Sequence, residues 1–397
     1  MKSDFFKYQA QTGPTPLVIE VKSANGSYIE DTNDKQYLDF VAGVSANTLG
    51  HGHPVISQAI KDQVDSYTHV MVYGEFIQQP QLELCKILAA NLPESLSTTY
   101  ITNSGTEATE GAIKLSKRYT GRSEIIAAKF GYHGNTMGSM SVCGAEEQNS
   151  AYRPLVPGIK FLEFNNEAHL EMITTKTAGV IVETIQGGAG FVEPENDYLK
   201  KLKDRCAKVG ALLILDEIQS GIGRTGKLFG FQNYNMVPDI IVTGKGLGGG
   251  MPIGAFISSH EKMNCLKENP KLGHITTFGG HPVIAAAATA TLKELFSSNL
   301  MDDIDAKEQL FRKLLVHPLI SEVRGKGLML APMVESAEMA TNVILKCLDR
   351  GLILFWLLFE KKAIRITPPL TITEDEIYKG CNIILEVLNE ELAEYAK

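Results

Sequence analysis

Two side chains of complementary chemistry each follow an apolar run. Asp216 ends the run 212–215, and Lys245 follows the run 239–243 among several glycines. They are separated by roughly 30 residues, the length of one strand–crossover–strand unit, so both should project from the carboxyl ends of neighbouring strands. A carboxylate and an amine at such an edge suit a cofactor that has an aldehyde and a basic ring nitrogen. The pair therefore predicts a pyridoxal phosphate site.

The elements that must position this pair alternate between strands and helices. We expect strands at 99–102, 124–128, 159–163, 180–183, 211–215, 239–243 and 253–258. We expect helices at 55–67, 79–91, from 103–107 to 119, at 197–209 and at 282–296. This alternation predicts an α/β fold with a mostly parallel sheet that is covered by helices on both faces.

The pattern changes near residue 297. Helices at 301–315, 336–350 and 374–394, strands within 320–330 and at 363–367, and an apolar segment at 351–359 indicate a smaller α+β domain. The first residues look irregular, and a short hairpin follows at 27–40, so this segment lacks the parallel-sheet rhythm. We predict three parts: an N-terminal segment 1–45 that joins the small domain, a large cofactor-binding domain 46–296, and a small domain 297–397.

Composition argues against several other classes of protein. The 397 residues are 44% hydrophobic and 21% charged, which is ordinary for a globular protein. A net charge of −8 argues against a nucleic-acid surface. Six cysteines without a C-x-x-C motif, and a start without a secretory signal, predict reduced thiols and a cytoplasmic location. The longest apolar run is too short for a membrane helix, and His51 and His53 fit a turn better than a metal site.

Two further loops could contact a cofactor. Ser104, Gly105 and Thr106 open a helix, where free backbone N–H groups and the helix dipole favour a phosphate. The same residues also fit a plain helix cap equally well. Tyr132 lies in a loop after a predicted strand, where an aromatic ring could stack on a heteroaromatic cofactor or simply be buried at the surface.

Together these motifs form a known series. In order they read NSGTEA (103–108), YHG (132–134), DEIQSGIGRTG (216–226), PDI (238–240), KGLGGG (245–250) and TFGG (277–280). The series resembles the class III pyridoxal-phosphate-dependent aminotransferases, the group of acetylornithine, ornithine and ω-amino acid aminotransferases, over nearly the whole chain. The resemblance implies the fold-type-I architecture of these transferases.

The resemblance also implies roles at the cofactor. Lys245 would bond covalently to the cofactor aldehyde and then act as the general base, and Asp216 would keep the pyridine nitrogen protonated. Gln219 would hydrogen-bond the ring hydroxyl, Tyr132 would stack on the ring, and His133 would pack beneath the loop.

Other implied roles concern the phosphate and the subunit contact. Ser104, Gly105 and Thr106 would bind the phosphate. Glu183 would lie near the ring substituents, although a structural carboxylate is nearly as good an interpretation. Thr277 would reach the phosphate of the neighbouring subunit's cofactor, which implies a homodimer with shared active sites.

The substrate is less well determined by these motifs. Arg365 matches the family arginine that grips an α-carboxylate, and Val44 lies in a segment similar to that of the acylornithine branch. Gly188 and Asn135 depart from ornithine-type members, which usually have a glutamate and an arginine there. The apolar segment 355–358 could line a pocket for an acyl group or form core.

We therefore expect an ω-amine donor, of the ornithine or acylornithine type, and an oxo-acid acceptor such as 2-oxoglutarate. The alternatives are a donor of the 4-aminobutyrate or β-alanine type, and an aminomutase or epimerase of the same fold. A non-catalytic cofactor-binding protein would have no reason to keep Lys245 and Asp216 together.

Overall fold

A computed structural model describes residues 2–395 and shows the predicted alternation. The helices are α1 (Lys2–Tyr8), α2 (Ala42–Ser45), α3 (Pro54–Ser66), α4 (Gln79–Ala90), α5 (Gly105–Thr120), α6 (Met137–Ser141), α7 (Glu146–Asn149), α8 (Tyr198–Val209), α9 (His260–Asn264), α10 (Pro282–Ser297), α11 (Ile304–Leu314), α12 (Ala337–Asp349) and α13 (Glu374–Tyr395). The strands are β1 (Val21–Asn25), β2 (Tyr28–Asp31), β3 (Gln36–Asp39), β4 (Thr98–Thr102), β5 (Glu124–Ala128), β6 (Ile159–Leu162), β7 (Thr177–Glu183), β8 (Leu212–Asp216), β9 (Ile240–Gly244), β10 (Gly254–Ser258), β11 (Glu322–Lys326), β12 (Met329–Met333), β13 (Leu352–Ile353), β14 (Phe355–Trp356) and β15 (Ile364–Arg365).

A seven-stranded sheet in the order β4-β10-β9-β8-β7-β5-β6 forms the centre of the protein. Strand β10 is antiparallel to both of its neighbours, β4 and β9. The other neighbouring pairs, β9–β8, β8–β7, β7–β5 and β5–β6, are parallel. A parallel neighbour needs a crossover of about a dozen residues or more, and only a short 3₁₀ turn at Lys245–Gly248 and a few further residues join β9 to β10. The predicted α/β class with a mostly parallel sheet is confirmed.

Helices cover both faces of this sheet. Every residue of β7, β8, β9 and β10 is buried, which explains their continuous apolar sequences. Gly111 lets α5 lie close to β10, since a Cβ atom there would approach Cε1 of Phe256 to 2.3 Å. This close packing fixes the start of α5 at the edge of the sheet where β9 ends.

The remaining strands lie outside the central sheet. The order β1-β2-β3-β13 forms a second sheet in which β3 pairs with β13 in parallel, and β11–β12 and β14–β15 are separate antiparallel pairs. The pairing of β3 with β13 supports the prediction that residues 1–45 join residues 297–397, and the domain boundaries themselves stay a prediction.

The sequence-based expectations were wrong in a few places. Helix α1 occupies a segment that was expected to be irregular. The strand expected at 363–367 is reduced to β15, which ends before Pro368 and Pro369, residues without an N–H to continue a ladder. Among residues 2–395, no helix is long and apolar enough to cross a membrane, and no group of three or more side chains could hold a metal ion.

Candidate active site

A cavity of about 280 Å³ lies at the carboxyl ends of β7, β8 and β9. Its lining combines charged, polar and apolar side chains: Val44, Gly105, Thr106, Tyr132, His133, Gly134, Asn135, Glu183, Gly188, Asp216, Ile218, Gln219, Lys245, Leu358 and Arg365. Glu183 and Asp216 are the last residues of β7 and β8 and pair with each other in register, and Lys245 directly follows β9. Most of the predicted site residues therefore meet in one cavity; Ser104 and Thr277 do not line it.

Lys245 is held in an unusual backbone conformation. Its φ of 42° lies in the left-handed region, which is costly for a residue with a side chain. The next residue must be glycine, because a Cβ atom at Gly246 would approach Oγ1 of Thr48 to 2.1 Å. Burial, with a smaller effect from the charge of Arg365, lowers the pKa of Lys245 to about 8. The amine is therefore neutral, and nucleophilic, far more often than an exposed lysine at the same pH.

Asp216 is buried and receives two hydrogen bonds. Its Oδ1 atom accepts from the backbone N–H of Ile218 at 2.9 Å, and Oδ2 lies 2.8 Å from Nδ1 of His133. Because an ionised carboxylate only accepts, Nδ1 of His133 is the donor. Burial by itself would lower the pKa of His133, but the hydrogen bond and charge of Asp216 outweigh it, so this pKa is raised.

His133 is buried, as expected from its loop, but its contact with Asp216 was not predicted. Residues 133 and 216 lie on different strand-end loops, and no local pattern links them. The only available signal was the position of His133 next to Tyr132 in a loop after a strand. The structure instead gives His133 the role of holding Asp216 in place.

Glu183 joins two loops at the cavity. Its Oε1 atom accepts from the backbone N–H of Tyr132 at 3.0 Å, and Oε2 accepts from the N–H of Gly187 at 2.9 Å. Burial raises the pKa of Glu183 to about 7, against the opposing charge of His133. A structural role for this carboxyl is therefore visible, and it faces the cavity as well.

The start of α5 shows both of the alternatives that its sequence left open. Oγ of Ser104 accepts from the N–H of Glu107 at 3.4 Å and caps the helix. Gly105 and Thr106 line the cavity, and a Cβ atom at Gly105 would approach Cδ1 of Ile218 to 2.5 Å. The first N–H groups of a helix lack intrahelical partners, so this end of α5 suits an anion such as a phosphate group.

Val44 approaches the cavity from a strained segment, and Gln219 contacts that segment from the loop after β8. Helix α2 is a left-handed turn, in which Gly43 and Val44 both have φ of 60°. The side-chain amide of Gln219 lies 3.4 Å from Oγ of Ser45 in this turn. Strain of this kind persists where the surrounding structure imposes it, and it commonly marks functional sites.

Arg365 brings an uncompensated positive charge to the cavity. It is 5% exposed, its Nε donates to the carbonyl oxygen of Trp356 at 3.4 Å, and its Nη1 has no hydrogen-bond partner. Within residues 2–395 no carboxylate lies at ion-pair distance, and burial lowers the pKa of Arg365 to about 10. A carboxylate ligand would remove the penalty of this buried, half-satisfied guanidinium.

Gly188 has no room for a side chain. A Cβ atom there would lie 2.8 Å from both Cδ2 and Cε2 of Phe359, and its carbonyl oxygen accepts from the N–H groups of Phe359 and Glu360 at 3.0 and 3.2 Å. Of the apolar residues 355–358, Leu358 lines the cavity. The ring of Phe130 lies 6.2 Å from that of Phe359, and neither ring lines the cavity.

The chain is similar to known proteins over nearly its whole length. The sequence model of the family "Aminotransferase class-III" matches residues 8–388. The acetylornithine aminotransferase of Caldanaerobacter subterraneus subsp. tengcongensis is 37% identical, over 97% of this chain and 98% of that protein. The [LysW]-aminoadipate semialdehyde/glutamate semialdehyde transaminase of Sulfolobus acidocaldarius is 34% identical, over 93% and 95%.

A solved structure extends the similarity to three dimensions. The ornithine aminotransferase of Toxoplasma gondii superimposes with a TM-score of 0.92 at 28% identity, covering 100% of this chain and 96% of that one. That structure is described as having partial occupancy of pyridoxal phosphate at its active site.

Proposed function

The chain belongs to the class-III aminotransferases, and from this premise we propose that it transfers the free terminal (ω) amino group of an α-N-acylated diamino acid, of the acetylornithine type, to an oxo-acid such as 2-oxoglutarate. The predicted family, fold-type-I architecture, enzyme class and pyridoxal phosphate cofactor are confirmed by these similarities. The identity of the donor and the roles of individual residues are the proposal.

The residues of the cavity fit the cofactor. When bound, pyridoxal phosphate supplies an electron sink for the bonds at the amine-bearing carbon. The amine of Lys245 would hold the cofactor and would then carry a proton between the reacting carbon atoms. Asp216 would keep the ring nitrogen protonated, Tyr132 would cover the ring, and Gln219 would donate to the ring hydroxyl. The N–H groups of Gly105 and Thr106 would bind the phosphate, with Ser104 capping the helix.

The unpartnered guanidinium of Arg365, on the same cavity as Lys245, carries the proposal for the substrate. It provides a fixed place for one substrate carboxylate, while Val44 and Asn135 line the space beside it. Among residues 2–395, the carboxylates that line the cavity are Glu183 and Asp216, and both already accept hydrogen bonds from protein N–H groups, so an additional ammonium group on the substrate would find no free counter-charge.

Acylation removes this conflict. Free ornithine carries a second ammonium group, whereas an acylornithine carries a neutral amide in its place. Leu358, which lines the cavity, offers that group apolar contact and no counter-charge. Glu183 does not supply the missing counter-charge, because it already accepts from two backbone N–H groups and burial raises its pKa to about 7.

A donor panel tests this choice. We expect kcat/KM for N-acetylornithine to exceed that for ornithine by at least about tenfold, the effect of one unfavourable charge contact of about 1.4 kcal/mol. Leu358→Asp supplies a carboxylate at the cavity and should shift the ratio toward ornithine by a similar factor. Leu345→Asp is the matched control, because Leu345 and Leu358 are both 43% exposed and Leu345 lies on α12, away from the cavity.

The same panel decides between the proposal and its alternatives. A donor of the 4-aminobutyrate or β-alanine type has one carboxylate and would also be served by Arg365 alone. Faster turnover with 4-aminobutyrate than with N-acetylornithine would therefore show that the natural donor is of the 4-aminobutyrate or β-alanine type and not an acylornithine. Turnover without any added oxo-acid would identify an aminomutase or epimerase.

A homodimer with shared active sites is part of the proposal. Large apolar side chains cluster on the exposed segment 64–82, where Ile77 is 93% exposed and Phe76 is 54% exposed. Phe278, from a different part of the chain, is 53% exposed. The ring of His69 in this segment lies 4.8 Å from that of Phe278, next to Thr277. Exposed apolar patches of this kind mark interfaces, and a second copy seated here would place Thr277 close to the partner's phosphate site.

Six free cysteines support a cytoplasmic location.

Disrupting this patch should separate the subunits. We expect Ile77→Asp with Phe278→Asp to sediment as a monomer and to retain less cofactor, because each charge would be buried in the interface. Val316→Asp is the control, since Val316 is apolar and 76% exposed outside the patch. A dimer of unchanged affinity in the double variant, measured by analytical ultracentrifugation, would exclude this interface.

A further inference from the structure

Arg224 is a buried cation that the proposed reaction does not use. It is 1% exposed, and burial lowers its pKa to about 9. Throughout residues 2–395 no carboxylate lies at ion-pair distance from it. Its Nη1 atom donates to the carbonyl oxygens of Leu328, at 3.1 Å, and of Pro368. A guanidinium buried without a counter-charge is expensive, so this arrangement needs a reason.

The reason lies in a short antiparallel ladder. Leu330 and Ile366 exchange two backbone hydrogen bonds, each of 2.9 Å. Hydrogen-bonded pairs recur every second residue in an antiparallel ladder, so the next pair is Leu328 with Pro368. Proline has no N–H group, and the carbonyl oxygen of Leu328 therefore lacks its ladder donor.

Arg224 takes the place of the missing bonds. Its guanidinium donates to the carbonyl oxygens on both sides of the broken pair, and its own carbonyl oxygen accepts from the N–H of Leu328 at 3.0 Å. Nη1 of a guanidinium carries two N–H groups, so this one atom reaches both carbonyl oxygens, whereas Nη2 of Arg224 has no hydrogen-bond partner among residues 2–395. The ladder thus ends on a side chain instead of another strand.

Arg224 also connects the two halves of the cavity. It lies in the loop after β8, the strand that ends at Asp216, and its N–H donates to the carbonyl oxygen of Gly221 at 3.4 Å. The ladder that it completes contains Ile366, the neighbour of Arg365. A single side chain therefore joins the segment behind the cofactor to the segment that carries the carboxylate-binding guanidinium.

We propose that Arg224 is a positioning residue, which replaces the ladder bond that Pro368 cannot make and so fixes Arg365 relative to Lys245 and Asp216. The proposal rests on the proposed function, because it takes Arg365 as the carboxylate-binding group. Loss of Arg224 should weaken the recognition of substrate carboxylates and leave the cofactor end of the cavity intact.

A pair of matched reagents separates these two effects. Aminooxyacetate and methoxyamine both react with enzyme-bound pyridoxal phosphate through the same aminooxy group, but only aminooxyacetate has a carboxylate. Their second-order rate constants with the holoenzyme are followed by the absorbance of the cofactor. The wild type should react faster with aminooxyacetate, and Arg224→Met should reduce that preference by about tenfold, with the methoxyamine rate changed by less than about twofold.

Arg122→Met is the matched control. Nη1 of Arg122 also donates to two backbone carbonyl oxygens, those of Thr177 and Val209, both at 2.9 Å, but on the opposite edge of the sheet from the cavity. This variant should lose thermal stability and keep the full preference for aminooxyacetate. An equal loss of preference in both variants would show a general structural effect and overturn the proposal.

A second substitution tests the ladder argument directly. Pro368→Ala restores an N–H group opposite Leu328, so the double variant Arg224→Met with Pro368→Ala should recover part of the preference. If Arg224→Met does not fold, Arg224→Lys, whose single ammonium group is a poorer fit for the two carbonyl oxygens, should lose a smaller but measurable part of the preference with the same reagents. Unchanged preference in the Arg224 variants, or a double variant no better than Arg224→Met, would overturn the proposal.

If Arg365 does not bind the substrate carboxylate, the same reagents give a different pattern of rates. Arg365→Met should abolish the preference for aminooxyacetate. If the wild type itself shows no preference, or Arg365→Met retains it, the carboxylate role of Arg365 is wrong, and the positioning role falls with it. If Arg365→Met loses the preference but the Arg224 variants keep it, Arg365 binds the carboxylate and the positioning role of Arg224 is wrong.

Discussion

Replacing Lys245 with alanine is expected to abolish covalent retention of pyridoxal phosphate and to lower the rate of transamination by about 10²–10⁴-fold, the usual contribution of a positioned general base. The remaining cavity still offers the N-terminus of α5 and Asp216 to the cofactor, so non-covalent binding should persist. Mass spectrometry after borohydride reduction should find the cofactor on the peptide that contains residue 245 in the wild type and on no peptide in the variant.

Lys307→Ala is the control for this substitution. Lys307 is another partly buried lysine whose pKa is lowered by burial, but it donates to the carbonyl oxygen of Leu370 and lies outside the cavity. Its replacement should leave both the adduct and the turnover intact. A borohydride-stable adduct in Lys245→Ala would assign the covalent bond to a different lysine.

The protonation of Lys245 adds a pH dependence to the same experiment. Burial next to Arg365 lowers the pKa of Lys245 to about 8, and only the neutral amine reacts with the aldehyde. The rate of cofactor uptake by the cofactor-free protein should therefore rise as the pH increases through about 8 and level off above it.

Asp216→Asn is expected to have the second largest effect. The asparagine preserves shape but removes the charge that, in the proposed function, would keep the ring nitrogen protonated. A charge partner at this range shifts a pKa by about 1–3 units, so turnover should fall by about 10- to 10³-fold. The absorbance of the bound cofactor, titrated with pH, should show the ring nitrogen losing its proton at lower pH in the variant.

Substitutions of His133 distinguish the charge of Asp216 from its orientation. His133→Asn retains an N–H donor near the position of Nδ1, and its turnover should stay within about tenfold of the wild type. His133→Phe leaves Oδ2 of Asp216 without its 2.8 Å partner and should cost more. Asp239→Asn, at the far end of the sheet, should lower the melting temperature alone, since it removes the ion pair of Asp239 with Nζ of Lys203 at 2.6 Å. Full activity in Asp216→Asn would remove this carboxylate from the mechanism.

The sequence by itself determined the reaction class. Asp216 and Lys245 are separated by one supersecondary unit, and parallel strands bring their carboxyl ends to one edge whatever the rest of the chain does. The helix start at Gly105 and the loop at Tyr132 follow strands of the same sheet, so they reach the same edge for the same reason. Local periodicity and the motif series were sufficient for the α/β fold and for most of the cavity lining.

The tertiary structure alone decided which side chains support these groups and which side chains line the space for the substrate. The contact of His133 with Asp216 spans 83 residues, and that of Arg224 with Pro368 spans 144. Phe359 fills the space beside Gly188 from a distant segment of the chain. Contacts of this kind depend on how separate elements pack, and no periodicity or spacing records them. Hence the chain's sequence predicts its chemistry, whereas the selection of a donor depends on the packing around Arg365.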